Sequence, residues 1–229
     1  MNVEKLDYIC DYCKTEIIDI NDLGYYGSKN RQDTSCSPFL EMLTLCKNCE
    51  KIRNDNTFYY SGIGSRKTPE NILVIMREVA KKLAKTGFTL RSGGADGADM
   101  AFEQGCDEVG GKKEIYLPWK KFNKNFSPLF DISEEAFKMS EKYHPAWSAC
   151  SDGAKRLHAR NCYQVLGSDL KTPSLFILCW TWEDKGGTLQ ACRIATDYGI
   201  PIINIKTHSD PTLESVVEKV NSTLHENKI

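Results

Sequence analysis

The stretch Tyr59-Tyr60-Ser61-Gly62-Ile63-Gly64-Ser65-Arg66 decides the fold class, because it runs from an apolar strand directly into a glycine turn. The same order recurs at 88–99, which contains SGGADGAD, and at 176–190, where GGT follows a strand. A helix is predicted behind each turn, so backbone N–H groups and the positive end of a helix dipole meet there. Three such turns on one carboxyl edge of a parallel sheet predict a crevice for a nucleotide-like ligand.

The composition is that of a globular protein and sets limits on its partners. The chain has 229 residues, a net charge of -1, a pI near 6.4 and 41% hydrophobic residues. No apolar run approaches the roughly 20 residues that cross a bilayer, and the N-terminus has no signal-peptide pattern. We therefore expect a cytoplasmic protein without a membrane partner. The balanced charge argues against broad attachment to nucleic acid, although a local basic patch is compatible with it.

From position 57 onward, the spacing of apolar residues predicts strands that alternate with helices. A helical stretch over 133–166 is expected to be interrupted near Pro145, and 119–132 is predicted to form a long loop. Alternation of this kind predicts an α/β fold with a Rossmann-like parallel sheet and helices on both faces, over residues 56–229. The strands are expected near 58–60, 88–90, 114–117, 174–180 and 200–205.

Residues 1–55 carry two cysteine pairs, Cys10-x-x-Cys13 and Cys46-x-x-Cys49, whose four thiolates suit one tetrahedral Zn²⁺. A redox dithiol would need only one pair, and a segment of about 50 residues needs a metal or another staple to fold. The sequence therefore predicts a zinc-ribbon-like module with a structural zinc ion. With seven basic and ten acidic residues, the module is a poor phosphate clamp, which favours a structural or protein-contact role.

Five residues of the first and third turns are candidates for contact with an anion. Gly62 and Gly64 allow a backbone to approach a ligand closely, and Arg66 is placed to meet a negative charge. At the third turn, Gly187 starts a helix and the Thr188 hydroxyl is a donor. Each turn alone is equally compatible with a tight turn and a solvated side chain.

The second turn combines small residues with two acids. Asp96 is expected to cap the following helix. Asp99 could cap it too, accept a hydrogen bond from a ribose hydroxyl, or orient an arginine. Further along, Arg156 and Arg160 lie four residues apart on one helical face, with Asn161 beside them. That face is either a solvated basic surface or a contact to a phosphate or base.

Other candidates are given structural interpretations. His158 is interpreted as a surface or packing residue, while Trp180 and Trp182 either stack on a base or belong to the core. The remaining cysteines of the α/β region lack metal-ligand spacing and are predicted to be buried thiols: Cys106, Cys150, Cys162, Cys179 and Cys192.

The ordered motifs at 62–66, 92–99, 160–161 and 186–188 resemble the SLOG superfamily over about residues 57–206. That group includes the DNA-processing protein A (DprA/Smf) Rossmann domain and the Lonely Guy phosphoribohydrolases, and the DprA-like members are the most similar. The resemblance implies a nucleotide-derived ligand at the turns. The Lonely Guy enzymes carry a glutamate where this chain has Ala191, beside Gln190. Without that carboxylate, N-glycosidic hydrolysis would have to use Asp99.

We therefore expect a nucleotide-derived ligand of the NAD, ADP-ribose or cyclic-nucleotide type, bound for sensing or sequestration in a phage or defence setting. The alternatives are a nucleoside-phosphate N-glycosidase with Asp99 as its catalytic carboxylate, and a DprA-like single-stranded DNA-binding protein. A homo-oligomer is also expected. The predicted binding residues are Gly62, Gly64, Ser65, Arg66, Ser92, Gly93, Gly94, Asp96, Asp99, Arg160, Asn161, Gly186, Gly187 and Thr188.

Overall fold

The computed structural model describes residues 58–182, 186–208 and 211–226, together with four short strands nearer the N-terminus. Contacts divide the chain into two units. One unit is Phe58–Thr223, and the other combines Met1–Thr57 with Leu224–Ile229.

The N-terminal unit contains two short antiparallel strand pairs. Strand β1 (Tyr8–Ile9) pairs with β2 (Glu16–Ile17), and β3 (Leu23–Tyr25) pairs with β4 (Leu45–Cys46). Of the predicted zinc ligands, Cys10, Cys13 and Cys49 lie outside the described residues, as does the side chain of Cys46. The zinc site therefore stays a prediction.

The larger unit is built on a five-stranded parallel sheet, as predicted. Its order is β7-β6-β5-β8-β9, so the first strand in sequence lies at the centre. Chain segments before β8 extend the sheet in one direction from β5, and later segments extend it in the other. The strands are β5 (Phe58–Gly64), β6 (Phe88–Ser92), β7 (Lys113–Ile115), β8 (Ile177–Trp180) and β9 (Ile202–Asn204).

Helices connect the strands, and a break near Pro145 divides the predicted helical stretch as expected. Ser133 and Ser151 begin the two resulting helices, and each side chain accepts a hydrogen bond from a backbone N–H in the first turn. None of the described helices is long and apolar enough to cross a membrane. The helices are α1 (Glu70–Lys85), α2 (Ala98–Asp107), α3 (Glu134–Tyr143), α4 (Asp152–Leu166), α5 (Gly187–Asp197) and α6 (Leu213–Glu226).

Both faces of the sheet are covered, as two adjacent positions of β5 show. Successive strand residues point to opposite faces. Ile63 is buried in a cluster with Cys162 of α4 and Ile194 of α5. On the other face, a Cβ added to Gly62 would lie 2.6 Å from the ring of Phe102 in α2. The predicted two-sided α/β architecture is therefore confirmed for this unit.

Close packing of α1 on α2 depends on Gly105, and this gives a first prediction. A Cβ at this position would overlap the backbone carbonyl of Arg77 in α1. Because backbone cannot move aside like a flexible side chain, we expect Gly105→Ala to destabilise the protein by about 1–3 kcal/mol in urea unfolding. Gly153→Ala is the control, since nothing lies within 4 Å of a Cβ there. Equal unfolding midpoints for the two variants would contradict this account.

Candidate functional site

A cleft of about 510 Å³ opens between β5 and β8, the point from which successive strands are added in opposite directions across the sheet. The central strand β5 pairs with β8, and Gly64 lies opposite Trp180 at their carboxyl ends. In open parallel sheets, ligands bind outside the carboxyl ends of the strands at such a switch point. The topology therefore places the cleft where a ligand site is expected.

Nine of the predicted binding residues line this cleft. They come from β5, the two helix starts behind the second and third turns, and the middle of α4. The nine are Gly64, Ser65, Arg66, Asp99, Arg160, Asn161, Gly186, Gly187 and Thr188. The other five do not line it: Gly62, Ser92, Gly93, Gly94 and Asp96.

The first turn uses its own backbone donors within the protein. The N–H of Gly64 donates to Oδ1 of Asp99 at 3.2 Å, and the N–H of Ser65 donates to the carbonyl of Trp180 at 3.0 Å. The N–H of Lys67 donates to Oγ of Ser65 at 3.0 Å. Beside these engaged donors, the turn presents the exposed side chains of Arg66 and Lys67 to the cleft.

Asp99 and Arg160 form a buried ion pair in the wall of the cleft. They are 4% and 5% exposed, and Nη1 of Arg160 lies 3.3 Å from Oδ2 of Asp99. Burial raises the pKa of Asp99 and lowers that of Arg160, and the attraction between them opposes both shifts. Nε of Arg160 is buried without a hydrogen-bond partner among the described residues. Of the roles considered for Asp99, orientation of an arginine is the one that these contacts show.

The second turn provides space and support for that pair. A Cβ at Gly93 would overlap Nη1 of Arg160, so only glycine leaves room for the guanidinium. Oγ of Ser92 donates to the carbonyl of Gly62 at 2.7 Å, which ties β6 to β5. Gly94 has a positive φ of 63° and packs near Leu117. These residues are structural parts of the site and do not face its interior.

The prediction that Asp96 caps α2 is wrong. The helix begins at Ala98, and its N-cap is Gly97, with no side-chain capping bond. The exposed carboxylate of Asp96 instead accepts from Nδ2 of Asn123 at 2.8 Å. A tight glycine turn moves the helix start past Asp96, so the side chain joins the loop that follows β7.

The third turn presents the start of α5 to the cleft. Its N-cap Gly186, with φ of 105°, provides no side-chain cap, so the first N–H groups of the helix lack that partner. Nδ2 of Asn161 donates to the carbonyl of Gly187 at 3.2 Å and to Oε1 of Gln190 at 3.0 Å. Asn161 and the buried Gln190 thus hold the turn in place, and Ala191 contributes only a methyl group to the cleft.

One side of the cleft contains a cluster that the sequence interpretation missed. His158 lines the cleft, and one ligand atom of each of His144, Cys150 and His158 lies within 4.8 Å of the others. The interpretation of Cys150 as a buried thiol is wrong, since it is half-exposed, whereas burial is confirmed for the other four cysteines of this unit. Desolvation, with His144 nearby, lowers the pKa of His158 to about 4. The three residues lie close in sequence, but their spacing matches no standard metal-binding motif, so the sequence alone does not group them.

An aromatic side chain also lines the cleft. Trp182 is 41% exposed and lines the cleft, whereas Trp180 is 7% exposed and belongs to the core. Nζ of Lys206 lies 4.3 Å from the centre of the Trp182 ring. Of the two tryptophans, Trp182 is therefore the one that lines the cleft with an exposed side chain.

No family model matches the chain, and neither does any curated protein. Among solved structures, it is similar to the molybdenum cofactor (Moco) carrier protein of Chlamydomonas reinhardtii, with 17% identity and a TM-score of 0.49, over 74% of this chain and 99% of that one. It is also similar to DNA processing protein A of Helicobacter pylori, described for its single-stranded DNA binding, with 17% identity and a TM-score of 0.45, over 77% of this chain and 76% of that one. A third similar structure is the molybdenum cofactor binding protein of Rippkaea orientalis, with 18% identity and a TM-score of 0.45, over 76% of this chain and 88% of that one. Likeness at this level does not identify a ligand.

Proposed function

We propose that the cleft binds an anionic, nucleotide-derived small molecule. The observation that carries the proposal is the charge of the lining. Arg66, Lys67 and Arg160 are cationic, and Asp99, already paired with Arg160, is the one acid among the described lining residues. The uncapped start of α5 adds further positive potential at the same place. A phosphate group between Arg66 and the α5 turn would satisfy both.

The size and remaining lining of the cleft suit the rest of a nucleotide. Its volume of about 510 Å³ lies within the roughly 300–1,000 Å³ usual for small-molecule sites. The exposed ring of Trp182 offers a stacking surface for a base. Binding without hydrolysis is the favoured use, because Ala191 provides no carboxylate and Asp99 is engaged by Gly64 and Arg160. Sensing or sequestration of a nucleotide signal, for example in phage–bacteria conflict, is the corresponding role.

The first experiment is native mass spectrometry of the freshly purified protein, followed by denaturation and identification of the released molecules. One intact nucleotide-type molecule per chain is the expected result. The released fraction is also analysed for molybdenum, since the carrier protein named above carries the molybdenum cofactor. In parallel, AMP and ADP-ribose are titrated calorimetrically and assayed for released base. Base release that disappears in Asp99→Asn would establish the glycosidase alternative instead.

Single-stranded DNA is the second candidate ligand, and the loop after β7 is the observation that favours it. Trp119 and Phe126 are 41% and 80% exposed, and the exposed Lys120 and Lys121 lie between them. Exposed aromatic rings interleaved with cations are the usual surface for unpaired bases. Binding of oligodeoxythymidylate with a steep salt dependence, unaffected by AMP, would favour this function over a nucleotide-binding cleft.

Removal of the Arg66 side chain tests the phosphate contact directly. We expect Arg66→Ala to weaken AMP binding about 10- to 100-fold, because a hydrogen bond to a charged group contributes about 1.5–3 kcal/mol. Arg156→Ala is the matched control, since this arginine is exposed on α4 and does not line the cleft. If both variants lose affinity equally, general positive charge and not the cleft attracts the anion.

A further inference from the structure

The cluster of His144, Cys150 and His158 has the composition and spacing of a metal site. Sγ of Cys150 lies 3.7 Å from each ring nitrogen of His144, and the two histidine rings are 4.3 Å apart at their centres. Zinc–sulfur and zinc–nitrogen bonds of about 2.3 and 2.0 Å at a tetrahedral angle place sulfur and nitrogen about 3.5 Å apart. The sulfur–nitrogen distance at His144 is therefore close to that of a zinc site, and rotation of the two imidazoles would bring all three donors around an ion.

We propose that His144, Cys150 and His158 bind a zinc ion beside the ligand cleft. One thiolate and two imidazoles form a donor set suited to Zn²⁺, and three protein ligands leave the fourth tetrahedral position open. This site is separate from the four-cysteine zinc site predicted in residues 1–55. It also goes beyond nucleotide binding, because the cluster would hold its ion whether or not the cleft is filled.

The nitrogen atoms of the cluster are available to an ion. Nδ1 of His158 is buried without a hydrogen-bond partner among the described residues, and coordination would satisfy a nitrogen in that state. At His144, Nδ1 already accepts from the N–H of Ala146 at 3.2 Å, so Nε2 is the ring nitrogen that this contact leaves for an ion.

The backbone around the cluster gives the ligands room to adjust. His144 directly follows α3, Cys150 follows a short 3-10 turn (Trp147–Ala149), and His158 is fixed within α4. Two ligands thus lie in the connection between the helices, while the third is rigid. His158 also lies near the α5 start, with Cε1 at 4.0 Å from a Cβ built on Gly187. The open position would be filled by water or by an oxygen of a molecule in the cleft.

The test measures zinc content and cobalt spectra on the full chain. Purified protein is stripped with a chelator, reloaded with Zn²⁺ or Co²⁺, desalted and assayed for metal per chain. We expect His144→Ala and Cys150→Ala each to lose one equivalent of zinc relative to the parent protein. His208→Ala, a histidine outside the cluster, should lose none. Circular dichroism verifies that each variant is folded.

A conservative variant separates coordination from a merely structural role. Cys150→His supplies a third imidazole, so we expect it to retain the zinc equivalent that Cys150→Ala loses. Its cobalt form should lack the share of sulfur-to-cobalt charge-transfer absorption that the Cys150 thiolate contributes in the parent protein. Unchanged zinc content in both His144→Ala and Cys150→Ala would overturn the proposal. So would a Cys150→His protein whose cobalt charge-transfer spectrum is identical to that of the parent.

Discussion

Replacement of Gly93 by alanine is expected to destabilise the α/β unit by roughly 3–5 kcal/mol, the usual effect of breaking a buried ion pair. The added Cβ would overlap Nη1 of Arg160 and would lie 2.7 Å from Oδ2 of Asp99. The guanidinium is flexible, but it is 5% exposed, and its way out leads into the cleft and away from its carboxylate. Asp99 would then be buried without its partner. Urea unfolding measures the loss.

A second background shows whether Arg160 is the cause. In an Arg160→Ala protein the overlap with the guanidinium is absent and only the contact with Oδ2 of Asp99 remains, so adding Gly93→Ala should cost much less stability than it does in the parent chain. The difference between the two costs is the coupling energy between the two positions. An equal cost in both backgrounds would mean that Gly93 is required for some reason other than space for Arg160.

Removal of the Arg160 charge is expected to destabilise the protein by a similar amount, and the loss of stability should depend on pH. Arg160→Met leaves the Asp99 carboxylate buried and unpaired, at a cost of roughly 3–5 kcal/mol near neutral pH. Burial already raises the pKa of Asp99, and the variant loses the arginine that opposes this shift. The folded protein then binds a proton that the unfolded chain has released. Stability should therefore increase as the pH falls from 7 toward 5, the opposite of ordinary acid denaturation.

The double variant Asp99→Asn with Arg160→Met distinguishes destabilisation by the buried charge of Asp99 from destabilisation by the altered packing. Without a carboxylate there is no charge to desolvate, so much of the lost stability should return and the pH dependence should disappear. Unfolding free energies at pH 5 and 7 for the parent, single and double variants provide the measurement. An Arg160→Met protein whose stability depends on pH just as that of the parent does would show that Asp99 is solvated or paired elsewhere.

The fold and the position of the site could be predicted because their signals are local. A strand, a glycine turn and a helix start follow one another within about ten residues, so the turns that contain Gly64, Asp99 and Gly187 are visible in the sequence. Parallel pairing then brings the carboxyl ends of β5, β6 and β8 to one edge of the sheet. Arg160 and Asn161 could also be predicted, because their stretch of sequence precedes the strand that ends at that edge.

The side-chain contacts within the site could not be predicted, since most of them join residues that are far apart in sequence. Asp99 and Arg160 are 61 residues apart in sequence, and nothing local indicates that Gly93 must leave space between them. The first turn was expected to offer backbone N–H groups, yet those of Gly64 and Ser65 are used by Asp99 and Trp180. Cys150 is misinterpreted for a different reason: His144 and His158 lie six and eight residues away, but they flank a helix junction at a spacing that matches no standard metal-binding motif.

The central place of β5 in the sheet also determines how the nascent chain must fold. Its neighbour β8 begins roughly 110 residues after β5 ends, which corresponds to about 6 to 22 s of translation at ~5–20 residues per second. Throughout that interval one edge of β5 is unpaired, and unpaired strand edges recruit other chains. The same delay means that the cleft cannot assemble until β8 and the start of α5 have been synthesised. The proposed ligand could therefore not bind to the nascent chain before that point.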